Sequence, residues 1–325
     1  MTVKAVKKGG LTLGARRGIA EVALCFLSLL LLALLLKNPR LALSSTAAGL
    51  SLCVRRVIPA LFPFMVLSEL LFRGNAVSLI ARFLCLPSRV LFGISGESGA
   101  ALLFGLLCGA PVGAKSAVSL YCGGRIDRRE LTRLLTLCTP PSASFLIGAV
   151  GISTFGSADI GKRLFIASLI SCLLVGVVGR FIPMRVRGRG ESEPEVCHKR
   201  YSLTSLVTEA VSSSAVSMLY VCGFAVFFST LGSVLEYLAA ALSLPRELYS
   251  LFFGFFEMTA GVERAAGGVG GIYLAAAISG WSGLSSALQV ISICRDCNIS
   301  FLPYFVSRLV SALIFPLVLL ITAGG

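Results

Sequence analysis

Long apolar runs separated by short basic loops dominate the pattern of this 325-residue chain. Several runs reach about 18 residues, which is long enough for an α-helix to cross the hydrocarbon core of a bilayer. A membrane β-barrel would instead show alternating segments of about ten residues, and these runs are continuous. The pattern therefore predicts an all-α polytopic membrane protein.

Lys and Arg concentrate in cytoplasmic loops of membrane proteins, so their positions give the order of crossings. Five of them precede the first apolar run and place the N-terminus in the cytoplasm. Lys37 and Arg40 follow that run where a cleavage site would stand, so we predict an uncleaved span rather than a signal peptide. Residues 41–56 mix apolar residues with Ser and Arg and predict an interfacial helix. Transmembrane spans are predicted over about 19–36, 57–72, 134–155, 164–182, 212–233, 271–293 and 302–322.

Four apolar segments are interrupted by residues that break helices. Segments 99–122 and 251–268 contain internal small residues, and we predict that each forms a re-entrant hairpin, since both flanks of the first are basic. The spans over 134–155 and 271–293 are broken by Thr-Pro-Pro-Ser-Ala-Ser at 139–144 and Ser-Gly-Trp-Ser-Gly at 279–283. Broken helices at membrane depth are expected only inside protein or beside a cavity.

The order of these segments recurs in the two halves. In each half the pattern predicts a span, a surface helix, a hairpin, an interrupted span and a closing span, in this order. Three crossings separate the start of the first repeat from the start of the second, so the second repeat has the opposite orientation in the membrane. Residues 104–115 align without a gap on 253–264, with Phe-Gly at the start and a cation at the end. Inverted repeats with paired broken helices are typical of secondary transporters. The predicted division is 1–56 (N-terminus, first span and interfacial helix), 57–182 (first repeat), 183–205 (charged cytoplasmic linker) and 206–325 (second repeat).

Composition agrees with this class and argues against others. Hydrophobic residues make up 56% of the chain, charged residues 14%, and the net charge of +14 lies in loops, where it sets topology rather than binding nucleic acid. Eleven scattered cysteines and a single histidine give no zinc-site spacing and no disulfide framework, and no cofactor is predicted. No catalytic triad and no P-loop are present, so an enzyme or an ATP-driven pump is not predicted.

The first hairpin and the first interrupted span carry candidate solute-binding residues. Small residues at the hairpin tip expose backbone N–H groups that suit an anion, and Lys115 adds a charge, unless it extends to the cytoplasmic interface. The two prolines free carbonyls one turn earlier, which suits solute or Na⁺ binding, or else a structural kink. The candidates in these segments are Gly109, Pro111, Gly113, Lys115, Thr139, Ser142 and Ser144.

The second half offers a matching set. Glu257 is an acidic residue among phenylalanines at membrane depth, which predicts a coupling site for H⁺ or Na⁺, unless it pairs with Arg264. Thr259 follows it in the hairpin. Trp281 and Ser282 lie in the interrupted span, where the indole would stack on an aromatic solute, or the small residues would pack helices.

Three stretches resemble the YlbJ/SpoVV family of sporulation membrane proteins, whose nucleoside-recognition gate domains are related to concentrative nucleoside transporters. They are Ile-Pro-Ala-Leu-Phe-Pro-Phe-Met-Val-Leu-Ser-Glu-Leu-Leu at 58–71, Gly-Ala-Pro-Val-Gly-Ala-Lys at 109–115, and residues 139–151. The likeness extends over about residues 20–322, and the stretch from Glu257 to Gly261 fits the second gate of that family.

The resemblance implies a membrane protein of a spore-forming bacterium that acts in spore maturation. It implies transport of dipicolinate, a small aromatic dianion, from mother cell toward forespore, in the cytoplasmic or the outer forespore membrane. We therefore predict a secondary transporter or facilitator of a small anionic solute, with H⁺ or Na⁺ coupling. A nucleoside transporter and a non-transporting scaffold of a sporulation complex stay as alternatives, and a homo-oligomer is left open.

Overall fold

The computed structural model describes residues 7–73, 77–182, 203–240 and 245–323, which are helical over most of their length and contain no strand. The all-α prediction is confirmed, and several helices have the length and apolarity of membrane spans. The helices are α1 (Lys7–Lys37), α2 (Pro39–Leu52), α3 (Ile58–Arg73), α4 (Val77–Phe92), α5 (Gly96–Cys108), α6 (Ala110–Cys122), α7 (Arg128–Leu137), α8 (Ala158–Arg180), α9 (Leu203–Ala240), α10 (Arg246–Phe256), α11 (Met258–Ala265), α12 (Gly271–Trp281), α13 (Gly283–Ile293) and α14 (Leu302–Ala323). A π-helical turn, Cys53–Val57, joins α2 to α3, and a longer π-helix spans Ser144–Thr154.

By length and composition, four segments of the described chain are able to cross a membrane: α8, most of α9, α12 with α13, and α14. The number rises to six if two sharply bent helix pairs each count as one span. One pair is Glu21–Lys37 with Pro39–Arg55, bent by 101°, and the other is Leu61–Arg73 with Val77–Phe92, bent by 86°. The predicted polytopic character therefore holds, whereas the individual crossings and their orientation stay predictions.

The boundary predicted at residue 56, between an interfacial helix and a span, does not coincide with the end of a helix, and the division itself stays a prediction. The helix beginning at Pro39 continues through the π-helical turn into α3 without a break. The joined helix packs antiparallel to α9, with Thr46 near Thr230 at one end and Arg73 near Glu209 at the other. Gly49 makes the close approach possible, because a Cβ there would lie 3.2 Å from the Cα of Val226. This contact joins distant parts of the chain, so the local mixture of polar and apolar residues does not predict it.

Both predicted hairpins are present as helix pairs, α5 with α6 and α10 with α11. Glycines let the two arms touch through their backbones: a Cβ at Gly113 would lie 2.8 Å from the Cα of Gly105, and one at Gly261 would lie 2.3 Å from the Cα of Gly254. The gapless alignment of the two segments is one residue out of register at the tips. The tip residue is Gly109 in the first hairpin and Glu257 in the second.

The two segments predicted to be interrupted spans are also broken, and whether the first crosses the membrane stays a prediction. The first consists of α7, a non-helical stretch at 138–142 and the π-helix, and the second consists of α12 and α13 with left-handed backbone at Ser282 and Gly283. The predicted linker lies outside the described residues as far as residue 202, and its last three residues belong to α9. The same order of hairpin, broken helix and closing helix thus occurs twice, while the inverted orientation of the halves stays a prediction.

Candidate functional site

The tip of each hairpin lies against the broken helix of its own half. In the first half, Gly109 has φ +91°, and a Cβ on it would lie 2.9 Å from the Cβ of Ser142. In the second half, a Cβ on Gly283 would lie 2.9 Å from the backbone nitrogen of Met258. Only glycine permits these approaches without strain. The local sequence therefore brings each pair of irregular segments into backbone contact.

The two pairs meet around one cavity of about 170 Å³. Its wall is built from both hairpin tips, both helix breaks and the side of the joined α2–α3 helix. A groove of about 600 Å³ adjoins it and runs along the π-helix to Thr154, and the two share Leu61, Ser142 and Thr259. We call them the central cavity and the groove. We refer to the two together as the compartment.

Seven of the eleven sequence-predicted site residues lie at this compartment, and four do not. The residues that line the central cavity are Gly109, Pro111, Ser142, Glu257, Thr259 and Ser282. Ser144 lines the groove. The four that line neither are Gly113, Lys115, Thr139 and Trp281. Whether the seven contact a solute stays a prediction.

Four helices begin at the central cavity, namely α6, the π-helix, α11 and α13. A helix N-terminus carries about half a positive charge and free backbone N–H groups. Ser142 accepts from the backbone N–H of Phe145 at 3.2 Å and so caps the π-helix. No side chain caps α6 or α13, whose N-terminal residues Gly109 and Ser282 line the cavity. The cavity thus offers positive potential from the backbone.

Glu257 caps α11 with its own side chain. One carboxylate oxygen accepts from the backbone N–H of Thr259 at 3.1 Å, and the other accepts from that of Ala260 at 2.7 Å. The pairing with Arg264 that the sequence left open does not occur, because Arg264 pairs with Glu236 and lies over the ring of Phe253. Of the described residues that line the central cavity, Glu257 is the only Asp or Glu, and none is Lys or Arg.

Lys115 lies in a buried cluster of charges rather than at the cavity or at an exposed interface. Its ammonium group is 3.7 Å from a carboxylate oxygen of Glu69 and donates to Ser213 at 2.7 Å. Glu69 also accepts from Arg73 at 2.5 Å, and Arg73 in turn contacts Glu209. The cluster connects α3, α6 and α9, so Lys115 holds the second arm of the hairpin against the joined helix.

The other three predicted residues have structural partners. Thr139 is buried and donates its hydroxyl to the carbonyl of Leu135. Gly113 lies against the carbonyl of Cys138. Trp281 stacks on Phe255 with ring centroids 5.4 Å apart and donates its indole N–H to the Phe255 carbonyl. Helix packing therefore explains these residues without a ligand.

Arg308 in α14 was not among the sequence predictions, although it is almost completely buried. Its two terminal nitrogens donate to the carbonyls of Thr136 at 3.1 Å and Thr139 at 3.0 Å. The Thr136 carbonyl has no helical partner, since residue 140 is a proline and lacks the N–H that would bond to it. The sequence signal for Arg308 is a cation inside an apolar run, because a charged residue at membrane depth is costly and is kept only for a functional or structural role.

No protein-family model matches this chain, and no solved structure matches it. A curated relative does: the chain is similar to the sporulation integral membrane protein YlbJ of Bacillus subtilis. The two are 29% identical over an alignment 320 positions long, gaps included, which covers 86% of this chain and 77% of the relative. Together with its several membrane-length helices, this similarity identifies an integral membrane protein with a role in sporulation. Over most of its length the chain is therefore similar to a sporulation integral membrane protein of the YlbJ type.

Proposed function

We propose that the protein is a secondary transporter or facilitator that moves a small carboxylate-bearing solute through the central cavity. Dipicolinate is the first candidate, moving from mother cell toward forespore across the outer forespore membrane. The observation that carries the proposal is the meeting of four broken segments around one cavity, because soluble ligands cross membranes where helices are interrupted and backbone groups are free.

The backbone supplies the electrostatics that an anion needs. The uncapped N-termini of α6 and α13 direct dipoles and N–H groups at the cavity, and Ser142 and Ser282 lie beside them. A carboxylate bound between these ends would be stabilised by both partial charges in a low-dielectric site. The wall is otherwise mostly apolar, which suits an aromatic ring.

Glu257 is the residue through which we expect solute transport to be coupled to protons. Its carboxylate would repel an anionic solute, and protonation removes that charge, so solute and proton are expected to bind together. An inward proton gradient would then drive accumulation of the anion. The carboxylate also caps α11, so its protonation weakens two backbone hydrogen bonds at the hairpin tip and links coupling to movement of this hairpin.

The experiment is uptake of labelled dipicolinate by purified protein in liposomes, with and without an inward proton gradient, and with a nucleoside as control solute. We expect gradient-driven dipicolinate uptake in the wild type. Glu257→Gln is expected to lose accumulation by about tenfold or more but to retain exchange of internal for external dipicolinate, since it loses the titrating charge and not the cavity. Glu247→Gln changes an exposed glutamate in the first turn of α10 that lines neither the central cavity nor the groove. It is the matched control and is expected to accumulate dipicolinate normally.

Other outcomes would reassign the site. Uptake of the nucleoside without dipicolinate would assign the cavity to a nucleoside. Protein that is folded but moves neither solute would favour a scaffold in a sporulation complex.

A further inference from the structure

A second, much smaller space lies behind the two prolines of the first helix break. Its volume is about 10 Å³, and it is enclosed by Pro140 and Pro141, by α8, by Gly280 of α12 and by α14. The two prolines separate it from the central cavity, whose wall they also form. It has room for a single water molecule or an ion of similar size, and not for an organic solute.

Arg308 lines this space and carries a full charge into the interior. Both of its hydrogen-bond acceptors are backbone carbonyls, and its Nε atom is buried without a partner. No Asp or Glu among the described residues lies within 4.0 Å of it. Burying a cation without an opposite charge is costly, so pairing with an anion would be strongly favourable here.

Two of the three serines that line the same space have hydroxyl groups without a hydrogen-bond partner. Ser171 of α8 and Ser311 of α14 are buried, line the space and have no hydrogen-bond partner for their side-chain oxygens. Buried hydroxyls nearly always have partners, so two orphaned hydroxyls beside an orphaned guanidinium N–H indicate an occupant. All three are able to donate a hydrogen bond to it.

We propose that Arg308, Ser171 and Ser311 form a binding site for one small inorganic monovalent anion of halide size. The charge of Arg308 selects an anion over water, and the size of the space excludes carboxylates. The site joins α8, α14 and the C-terminal end of α7, and it stands independently of the solute that the central cavity takes.

A ligand that binds only the folded state stabilises a protein by RT ln(1 + c/Kd), where c is the ligand concentration, which gives a direct test. The full-length protein in detergent is unfolded thermally in chloride, in bromide and in gluconate at equal ionic strength. We expect a higher Tm in chloride and bromide than in gluconate, with a shift that rises with the logarithm of the anion concentration above its Kd. A Tm that is the same in all three salts would overturn the proposal, because a water molecule would then fill the space.

Substitutions of the lining residues test whether the anion binds at this space. The double variant Ser171→Ala with Ser311→Ala keeps the charge and the fold and is expected to weaken chloride binding by at least about tenfold, since two hydrogen bonds to a charged group are lost. Ser307→Ala is the matched control, because Ser307 is buried on the same helix but donates to the carbonyl of Tyr304 and does not line the space. It should bind chloride as the wild type does. Unchanged chloride binding in the double variant and in Arg308→Lys would place the anion elsewhere and would also overturn the proposal.

Discussion

Replacing Gly113 by alanine is expected to destabilise the protein more than any other single-methyl change in the first hairpin. A Cβ at this position would lie 1.9 Å from the carbonyl oxygen of Cys138 and 2.8 Å from the Cα of Gly105. Both neighbours are backbone atoms, which are unable to rotate away as a side chain would. Overpacking of this kind costs about 1–3 kcal/mol and occasionally more, and we expect a value near the top of that range.

The measurement is the Tm of purified protein together with the fraction that elutes as a single species. Gly148→Ala is the control, because a Cβ there meets no atom within 4 Å and the position lies in the neighbouring π-helix. It should change the free energy of unfolding by no more than about 0.5 kcal/mol. A Gly113→Ala protein as stable as the wild type would mean that the hairpin does not pack against the helix break.

The Gly113→Ala substitution is also expected to change the shape of the central cavity. Cys138 begins the non-helical stretch that contains Pro140, Pro141 and Ser142, and Gly109 at the hairpin tip lies against Ser142. Moving Cys138 would therefore move the wall of the cavity. We expect any folded fraction of Gly113→Ala to transport less well than its stability alone explains.

The broken segments could be predicted from sequence because their causes are local. Proline lacks an N–H, and glycine tolerates left-handed backbone, wherever they occur. Gly109 and the prolines at 140 and 141 therefore marked helix breaks without knowledge of the fold. The recurrence of hairpin and broken helix in both halves also predicted that the irregular segments would meet.

The partners of charged residues could not be predicted in this way, since they come from distant parts of the chain. Lys115 is a cation in a predicted hairpin, which is typical of an anion ligand. It donates instead to Ser213, 98 positions later in the chain. The carbonyls freed before the two prolines were expected to bind a solute or Na⁺. The carbonyl of Thr136, freed by Pro140, accepts instead from Arg308 of α14. That of Leu137, freed by Pro141, accepts from Cys172 of α8. Trp281 likewise stacks on Phe255, which the sequence presents only as part of another hairpin.

The burial of Lys115 leads to the second large expected effect, a loss of stability in Lys115→Met. The Lys115 and Glu69 side chains are 5% and 2% exposed, and removing one partner of a buried pair leaves the other charge uncompensated. Such losses are about 3–5 kcal/mol, and we expect the lower end because Arg73 still contacts Glu69. Lys162→Met breaks an exposed pair with Asp159 and should cost at most about 1 kcal/mol.

A double variant separates this structural role from a role in binding the solute. Lys115→Met combined with Glu69→Gln removes both charges of the pair and leaves Arg73 with Glu209, so most of the lost stability should return. If Lys115 instead bound the solute, Lys115→Met would keep the wild-type Tm while losing uptake, and Glu69→Gln would restore nothing. Tm values and uptake normalised to folded protein, measured on both single variants and the double variant, decide between the two. Restored stability in the double variant would mean that the charge cluster around Lys115 and Glu69 holds the first hairpin to α3 and α9. Lost uptake at wild-type Tm would mean that Lys115 is part of the path that the solute takes.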